Sequence, residues 1–223
     1  MVTAAVLPIK TFARAKHRLS EAVDVPDRRA LAEAMVGDVL DALPEVPGLD
    51  RVIAVTAEPR AAAAAREAGA EVVHDPDEAG QSAAALIGID AALAAGCERV
   101  LLVPGDCPAL DPGEVGGLLA RQGRAGVVIV PDRHGAGTNA LLLAPPGVIE
   151  PSFGPGSFAR HAARAHAAGT VVRVAEVRSL GLDVDTPDDL QALREALAGR
   201  PGAAPRTREL LARMPAVAGA GRA

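Results

Sequence analysis

The chain has 223 residues, of which 49% are hydrophobic and 23% charged, with a formal net charge of −5, no Trp or Tyr and three Phe. Recognition of single-stranded nucleic acid uses aromatic stacking and a basic surface, so we expect no nucleic-acid partner. Two cysteines are too few for a disulfide framework and no apolar run approaches the ~20 residues of a membrane span, so we expect a cytoplasmic protein with no membrane partner.

Short apolar segments alternate along the chain with longer Ala-rich segments. Several of the short segments, such as Val-Leu-Leu-Val, are apolar on both faces, as in the strands of a covered parallel sheet. The predicted strands are 4–9, 51–56, 71–73, 99–103, 126–130, 139–143 and 171–176. The predicted helices are 27–43, 59–68, 82–94, 112–122, 157–167 and 187–197. This alternation predicts an α/β fold with a three-layer, doubly wound and mostly parallel sheet.

The composition changes after residue 197, where Gly199-Arg200-Pro201-Gly202 interrupts the helical pattern. We therefore expect one domain over residues 1–197 and a C-terminal tail over residues 198–223. The tail is expected to contain a short helix near 207–214 and a mobile end, because the last residues are small and mostly apolar without periodicity.

Basic residues follow the first predicted strand, in a chain that is otherwise net acidic. They are Lys10, Arg14, Lys16 and Arg18. In open parallel sheets, ligands bind beyond the carboxyl ends of the strands, and basic side chains there suit a polyphosphate. The spacing of a P-loop is absent, and a solvated basic turn is the alternative interpretation.

Asp106 follows the strand predicted at 99–103, after Pro104-Gly105. Its carboxylate is therefore expected to lie at the edge of the sheet. Mg²⁺ in a phosphate-binding crevice is typically held by one or two carboxylates and phosphate oxygens. The alternative is an Asp that only shapes a turn. We expect the neighbouring Cys107 to be a small buried residue without a nucleophilic role, because no His is obviously paired with it.

Asp183 and Asp185 alternate along an extended segment and therefore share a face, which makes either a candidate for a second metal carboxylate. Thr186 is predicted to cap the helix that Pro187 opens. Asp188 and Asp189 lie in the first turn of that helix, where we expect them to serve capping and the helix dipole.

Glycines surround Ser157 in the segment Phe153-Gly154-Pro155-Gly156-Ser157. They permit a nest of backbone N–H groups that leads into a helix N-terminus, which favours an anionic ligand. Arg160 and His161 follow at helical spacing and share a face with Ser157. A flexible loop with an ordinary helix cap is the alternative interpretation.

Together these segments resemble the 2-phospho-L-lactate and phosphoenolpyruvate guanylyltransferases of coenzyme F-420 biosynthesis. That family is a branch of the nucleotidyltransferase superfamily with a glycosyltransferase-A-like fold. The resemblance covers nearly everything before the tail. Pro-Gly-Asp-Cys-Pro and Asp-Thr-Pro are shared across the superfamily, whereas Gly-Thr-Asn followed by Phe-Gly-Pro-Gly-Ser is more specific.

The resemblance implies a role for each candidate residue. The catalytic residues would be Lys10, Lys16 and Asp106, the nucleotide-binding residues Lys10, Lys16, Arg18, Gly80 and Ser82, the acid-binding residues Thr138, Gly154 and Ser157, and the metal ligands Asp106 with Asp183 or Asp185. It implies Mg²⁺ as cofactor, and a homodimer is the assembly that family members often form. One departure is Gly80-Gln81-Ser82, where family members often carry Gly-Leu-Asn near the nucleotide base.

The activity that the resemblance implies is transfer of GMP from GTP to phosphoenolpyruvate, with release of diphosphate. A phosphate acceptor is already ionised at neutral pH and needs no general base, which agrees with the absence of any visible Ser-His-Asp or Cys-His constellation in the sequence. Alternatives are the same reaction on 2-phospho-L-lactate and another nucleotidyltransferase, such as a molybdenum-cofactor type. A glycosyltransferase and a non-catalytic nucleotide-binding module are the remaining hypotheses.

Overall fold

The computed structural model describes residues 1–14, 19–20, 23–121, 123 and 126–214, with the side chain of residue 14 left out. Its strands are β1 (Thr3–Ile9), β2 (Arg51–Thr56), β3 (Glu71–His74), β4 (Arg99–Leu102), β5 (Gly126–Pro131), β6 (Thr138–Ala144) and β7 (Val172–Val174). Its helices are α1 (Val25–Ala42), α2 (Pro59–Glu67), α3 (Gln81–Ala94), α4 (Pro112–Arg121), α5 (Ser157–Ala167), α6 (Pro187–Ala198) and α7 (Pro205–Arg213).

Across the described residues, the strands form one seven-stranded sheet in the order β3-β2-β1-β4-β6-β5-β7. β6 runs antiparallel to β4 and β5, and the other neighbouring pairs are parallel. The predicted α/β fold with a mostly parallel sheet is therefore confirmed. Because β6 is reversed, its first residues lie at the edge where β1 and β4 end, and the pairing of Leu102 with Leu141 sets Asn139 beside the segment after β4.

Both faces of the sheet are buried, which explains why its central strands lack a polar face. Along β1, Ala5 and Leu7 belong to a core cluster shared with α1, α2 and α4, while Ala4 and Val6 belong to a cluster shared with α3 and α5. Gly88 permits close packing on the second face, since a Cβ there would lie 2.2 Å from a Val6 methyl group. The layers are thus helices, sheet and helices.

Side-chain caps explain where two of the helices begin. α1 starts two residues before the predicted position, because Asp24 accepts a hydrogen bond from Asp27 N at 2.9 Å. α6 starts at Pro187 as predicted, with Thr186 and Asp189 in a reciprocal capping box. This box confirms the capping interpretation of Thr186 and Asp189.

The helix predicted in the tail is present as α7 and packs against α1. Asp38 on α1 accepts hydrogen bonds from Arg206 N at 3.0 Å and Thr207 N at 2.8 Å, at the start of α7. Leu211 and Met214 are buried in a third cluster with residues of α1 and α6. Residues 215–223, predicted to be mobile, lie outside the described residues. No helix in the described part of the chain is long and apolar enough to cross a bilayer.

Candidate active site

Three carboxylates meet at the edge of the sheet where β4 ends, and we call Asp106, Asp183 and Asp185 the acid cluster. Each offers an oxygen within 4.8 Å of the oxygens of the other two. The sequence left open which of the later two aspartates would join Asp106, and the structure brings both to it. All three are half-buried, and Asp106 and Asp185 border a cleft.

Backbone and amide contacts hold the acid cluster together. Val184 N donates to the carbonyl oxygen of Asp106 at 3.2 Å, and the Val184 side chain is fully buried. Since neighbouring side chains of an extended segment point in opposite directions, burial of Val184 turns Asp183 and Asp185 toward Asp106. Asn139 Nδ2 donates to Asp183 Oδ1 at 3.2 Å and to the Leu180 carbonyl at 2.9 Å.

The carboxylates of the acid cluster repel one another. Burial raises the pKa of Asp183, the negative charge of Asp106 raises it further, and the hydrogen bond from Asn139 opposes both effects. A cation bound among the three would reverse the repulsion. Carboxylate oxygens at this separation are a donor set that suits a hard divalent ion such as Mg²⁺.

Asp189 fixes the segment that carries Asp185, beyond its predicted role as a cap. Its Oδ2 accepts from Asp185 N at 3.0 Å and from Thr186 N at 2.7 Å. Its Oδ1 forms an ion pair with Arg133, in the turn between β5 and β6, at 2.6 Å. Asp189 therefore links the acid cluster to the turn that leads into Thr138.

Asp106 and Asp185 line a cleft that also borders the ends of β1 and β3, and we call it the main cleft. Lys10 and Gly80, two residues predicted to bind a nucleotide, lie in its wall. Lys16 and Arg18 lie outside the described residues. The main cleft thus combines a cation at the end of one strand with carboxylates from two later segments.

The loop between β3 and α3 forms part of the wall of the main cleft, and two of its acidic residues were missed by the sequence analysis. Glu78 accepts a hydrogen bond from Thr11 N at 3.1 Å, and Glu78 N donates to Asp75 Oδ1 at 3.1 Å. Both acids line the cleft. These bonds join the segment after β1 to the loop before α3, which explains why Lys10 and Gly80 border one cleft.

Thr138, Gly154 and Ser157 lie on the other side of β6, and we call this group the β6–α5 site. Thr138 is the first residue of β6, and Ser157 is the first residue of α5. Gly154 and Gly156 have φ values of 103° and 69°, which only glycine adopts readily. Both Thr138 and Ser157 are buried, at 7% and 1% exposure.

Two of the first backbone amides of α5 are already used within the protein. Ser157 N donates to the Gly154 carbonyl at 3.0 Å, and Phe158 N donates to the Ala136 carbonyl at 3.3 Å. The predicted nest therefore offers fewer helical N–H groups than an open helix N-terminus would. The second bond also joins α5 to the turn before Thr138.

Arg160 organises the loop that precedes α5. Its guanidinium donates to the carbonyl oxygens of Ser152 at 3.0 Å and Phe153 at 3.2 Å, and its Nε donates to Ser152 Oγ at 3.0 Å. Ser82, predicted to contact the nucleotide, accepts a hydrogen bond from Phe153 N at 2.9 Å. Ser82 thus joins α3 to the loop of the β6–α5 site, and its contact with a nucleotide stays a prediction.

Asn139 is another residue at the acid cluster that the sequence analysis left without a role, although the Gly-Thr-Asn motif contains it. Successive side chains of a strand point to opposite faces, so a strand that aims Thr138 at α5 aims Asn139 at the acid cluster. Cys107 is buried as predicted, and its Sγ contacts the same Leu180 carbonyl that Asn139 binds.

Comparison with known families supplies the decisive observation. A family model described as "Guanylyl transferase CofC like" matches residues 3–211, nearly all of the chain. The chain belongs to this family. The phosphoenolpyruvate guanylyltransferase of Conexibacter woesei is 51% identical to this chain over 213 residues, covering 95% of this chain and 96% of that protein. The protein of the same name from Sphaerobacter thermophilus is 38% identical over 193 residues, covering 86% and 93%.

Solved structures share the fold of this chain at lower sequence identity. A protein from Desulfovibrio desulfuricans described as a nucleotide-diphospho-sugar transferase superposes with a TM-score of 0.76 at 17% identity, covering 96% of this chain and 95% of that one. A nucleotidyl transferase from Methanothermobacter gives 0.61 at 22% identity, covering 90% and 99%. The nucleotidyltransferase fold is thereby confirmed, and family membership makes the chain an enzyme of the nucleotidyltransferase class.

Proposed function

We propose that this enzyme transfers GMP from GTP to phosphoenolpyruvate, giving enolpyruvyl-diphospho-5′-guanosine and diphosphate, as a step of coenzyme F-420 biosynthesis. The name phosphoenolpyruvate guanylyltransferase is carried by the relative from Conexibacter woesei at 51% identity and by further relatives at 35% to 42%. These names favour phosphoenolpyruvate over 2-phospho-L-lactate as the acceptor.

The observation that carries the proposal is the position of β6. Its first residue, Thr138, belongs to the β6–α5 site, and the next residue, Asn139, contacts Asp183 of the acid cluster. An acid held by Thr138 therefore lies next to a triphosphate held in the main cleft. Transfer of a nucleotidyl group requires this proximity, because the two reactants must meet at one phosphorus atom.

The acid cluster fits Mg²⁺ as the cofactor. Its donors are all carboxylate oxygens, and the pKa of Asp183 is raised first by burial and then by the negative charge of Asp106, which a cation would neutralise. Asp106, Asp183 and Asp185 are the residues that would hold the ion. When bound, Mg²⁺ supplies charge neutralisation on the phosphates and orients them for displacement.

The protein's own groups position the two substrates. Lys10 in the wall of the main cleft neutralises charge on the triphosphate, together with Lys16 and Arg18 from the adjoining segment. In this proposal, Gly80 and Ser82 contact the nucleoside. Thr138, Ser157 and the backbone at Gly154 donate hydrogen bonds to the carboxylate and phosphate of phosphoenolpyruvate.

The reaction balances without a proton donor or acceptor from the protein. An ionised phosphate oxygen of phosphoenolpyruvate attacks the α-phosphorus of GTP and forms a new P–O bond. The bond between the α-phosphorus and the bridging oxygen to the β-phosphorus breaks, and diphosphate leaves with that electron pair. Positioning and charge neutralisation therefore account for the catalysis.

A product assay tests the proposal. Purified protein is incubated with Mg²⁺, a nucleoside triphosphate and one three-carbon phospho-acid, and released diphosphate and the nucleotidyl product are quantified by chromatography. We expect product with GTP and phosphoenolpyruvate, and none when either substrate is omitted or the metal is chelated. Turnover with 2-phospho-L-lactate but not with phosphoenolpyruvate would contradict the acceptor assignment. In a parallel incubation with a nucleoside-diphosphate sugar, release of the nucleoside diphosphate, with no diphosphate released from GTP, would indicate a glycosyltransferase.

A thermal-shift screen adds a readout that does not depend on turnover. GTP with Mg²⁺ is expected to raise the midpoint of unfolding more than ATP or CTP does, and phosphoenolpyruvate to raise it further. Equal shifts with all nucleotides would contradict the guanine preference. The cytoplasmic location and the homodimer stay predictions. Size-exclusion chromatography with light scattering measures the oligomeric state.

A further inference from the structure

His161 on α5 is fully buried beside the β6–α5 site, and both of its ring nitrogens have partners. Nε2 lies 2.7 Å from Ser152 N, and Nδ1 lies 3.0 Å from Thr138 Oγ1. The ring of Phe153 packs edge-on against the imidazole, with centroids 5.3 Å apart and an interplanar angle of 75°. This packing restrains the ring from turning over and exchanging its two nitrogens.

The partners determine where the imidazole carries its proton. A backbone N–H can only donate, so Nε2 must accept the hydrogen bond from Ser152 through its lone pair. A neutral ring then has its hydrogen on Nδ1, which donates to Thr138 Oγ1. Burial, with a smaller effect from the positive charges of Arg160 and Arg164, lowers the pKa of His161 to about 4, so the ring is neutral at pH 7.

This tautomer constrains the Thr138 hydroxyl. Because Nδ1–H already donates to Oγ1, the hydroxyl hydrogen cannot point toward His161 and must point elsewhere. We propose that His161 is a positioning residue that holds the Thr138 hydroxyl as a hydrogen-bond donor toward the bound phospho-acid. This inference rests on the proposed function, and it assigns no contact between His161 and the substrate.

A neutral buried imidazole suits this task better than a charged group would. His161 aligns the Thr138 hydroxyl before the acid binds, so the hydroxyl loses little rotational freedom on binding. An anionic ligand also gains more from a hydroxyl that donates than from one that accepts. His161 lies four residues after Ser157, so one face of α5 carries both a residue of the site and the group that orients Thr138.

Two substitutions separate positioning from a structural role, because each retains one of the two hydrogen bonds. His161→Gln places an amide near the position of Nε2, where it can still accept from Ser152 N, but it has no donor for Thr138. His161→Asn places its amide near the position of Nδ1, where it can still donate to Thr138, but it loses the bond to Ser152. If His161 serves only to hold the loop through its bond with Ser152, the Asn variant should have the higher KM for phosphoenolpyruvate of the two.

Steady-state kinetics with separate KM values for the two substrates provide the test. We expect His161→Gln to raise the KM for phosphoenolpyruvate roughly tenfold with little change in the KM for GTP. The Asn variant is expected to recover most of that loss. In a Thr138→Val background, His161→Gln should add nothing further, because the hydroxyl it orients is gone. His166→Gln, on the exposed end of the same helix, is the matched control and should leave both KM values unchanged.

The outcomes distinguish failure of this inference from failure of the proposed function. If the unmodified protein forms no product from phosphoenolpyruvate, the proposed function is wrong. If it is active while His161→Gln matches it and His161→Asn does not, the positioning role alone is wrong. Nitrogen-15 NMR of the histidine ring gives an independent readout, and a ring protonated at Nε2 at pH 7 would overturn the inference whatever the activity.

Discussion

The acid cluster and the β6–α5 site lie on either side of the first residues of β6, and they differ in charge and in how their groups are held. In the acid cluster, three carboxylates lie within 4.8 Å of one another, and the pKa of Asp183 is raised. In the β6–α5 site, hydroxyl groups, glycines and a neutral imidazole are joined by hydrogen bonds within the protein.

The difference indicates how each region meets its ligand. Repulsion within the acid cluster means that a cation gains binding energy by relieving it, so metal affinity and protein stability are coupled there. The loop and the Thr138 side chain of the β6–α5 site are already held in place by Arg160, Ser82 and His161 before any ligand binds. We therefore expect substitutions in the first region to change metal dependence, and those in the second to change the KM for the acid.

The largest expected effect is that of Asp106→Asn. Loss of one carboxylate from the acid cluster should lower kcat/KM about a thousandfold, equivalent to about 4 kcal/mol of transition-state stabilisation. It should also abolish the Mg²⁺-dependent rise in the unfolding midpoint, which is measured without substrate. Asp90→Asn, an exposed charge on α3, is the matched control. Retained Mg²⁺-dependent turnover in the Asp106 variant would show that the metal binds elsewhere.

Asn139→Leu tests whether the hydrogen bond from Asn139 to Asp183 contributes to metal affinity. Removal of the hydrogen bond to Asp183 takes away the effect that opposes the rise in its pKa, so the carboxylate becomes harder to ionise. Substitution of such supporting groups typically lowers metal affinity about 10- to 100-fold. The Mg²⁺ concentration for half-maximal rate should rise accordingly, with kcat recovered at saturating metal. An unchanged Mg²⁺ dependence would contradict this role.

The fold was predictable because its physical signals are local. These signals include strands that are apolar on both faces, the proline at the start of α6 and the Thr186 cap. Each depends on residues that are neighbours in the sequence. The reversed direction of β6 was not predictable in this way. Strand direction depends on which neighbours β6 pairs with, and residues 139–143 are apolar whichever way the strand runs.

The candidate site was predictable to the extent that its residues follow strands or glycines. Asp106 was found by the rule that ligands bind beyond strand ends, and Asp183 and Asp185 by their alternation along an extended segment before a helix. Asn139 was missed because β6 contributes its beginning, not its end, to that edge. Its contact with Asp183 spans 44 residues of sequence, and no spacing rule connects two such positions.

The β6–α5 site should respond to pH through His161. The native ring stays neutral down to about pH 4, whereas the unfolded chain takes up a proton near pH 6.5, so the unfolded state binds more protons between these values. The contribution of His161 to stability is therefore fully present above about pH 6.5 and is lost as the pH decreases. We expect the free energy of unfolding to decrease by about 2 kcal/mol from pH 7 to pH 5. Chemical denaturation across this range measures it, and the difference between the protein and its His161→Asn variant isolates the histidine.

The smallest effect expected is that of Arg160→Met, and it tests whether the β6–α5 site depends on its loop being held in place. The guanidinium binds the carbonyl oxygens of Ser152 and Phe153, so its loss frees the segment that leads to Gly154 and Ser157. We expect the KM for phosphoenolpyruvate to rise about tenfold, about 1.4 kcal/mol, with the Mg²⁺ dependence unchanged.

Arg164→Met is the matched control for Arg160→Met. Arg164 lies one turn further along α5 and donates to the Glu150 carbonyl at 2.7 Å, outside the segment 152–156 that Arg160 contacts. Its substitution removes the same charge and retains a similar stem, but it leaves the Arg160 contacts with residues 152–153 in place. A KM change of equal size in both variants would mean that loss of positive charge near the acid, and not release of the loop, causes the effect. A changed Mg²⁺ dependence in either would mean that the two regions are coupled through β6 more tightly than their separate hydrogen bonds indicate.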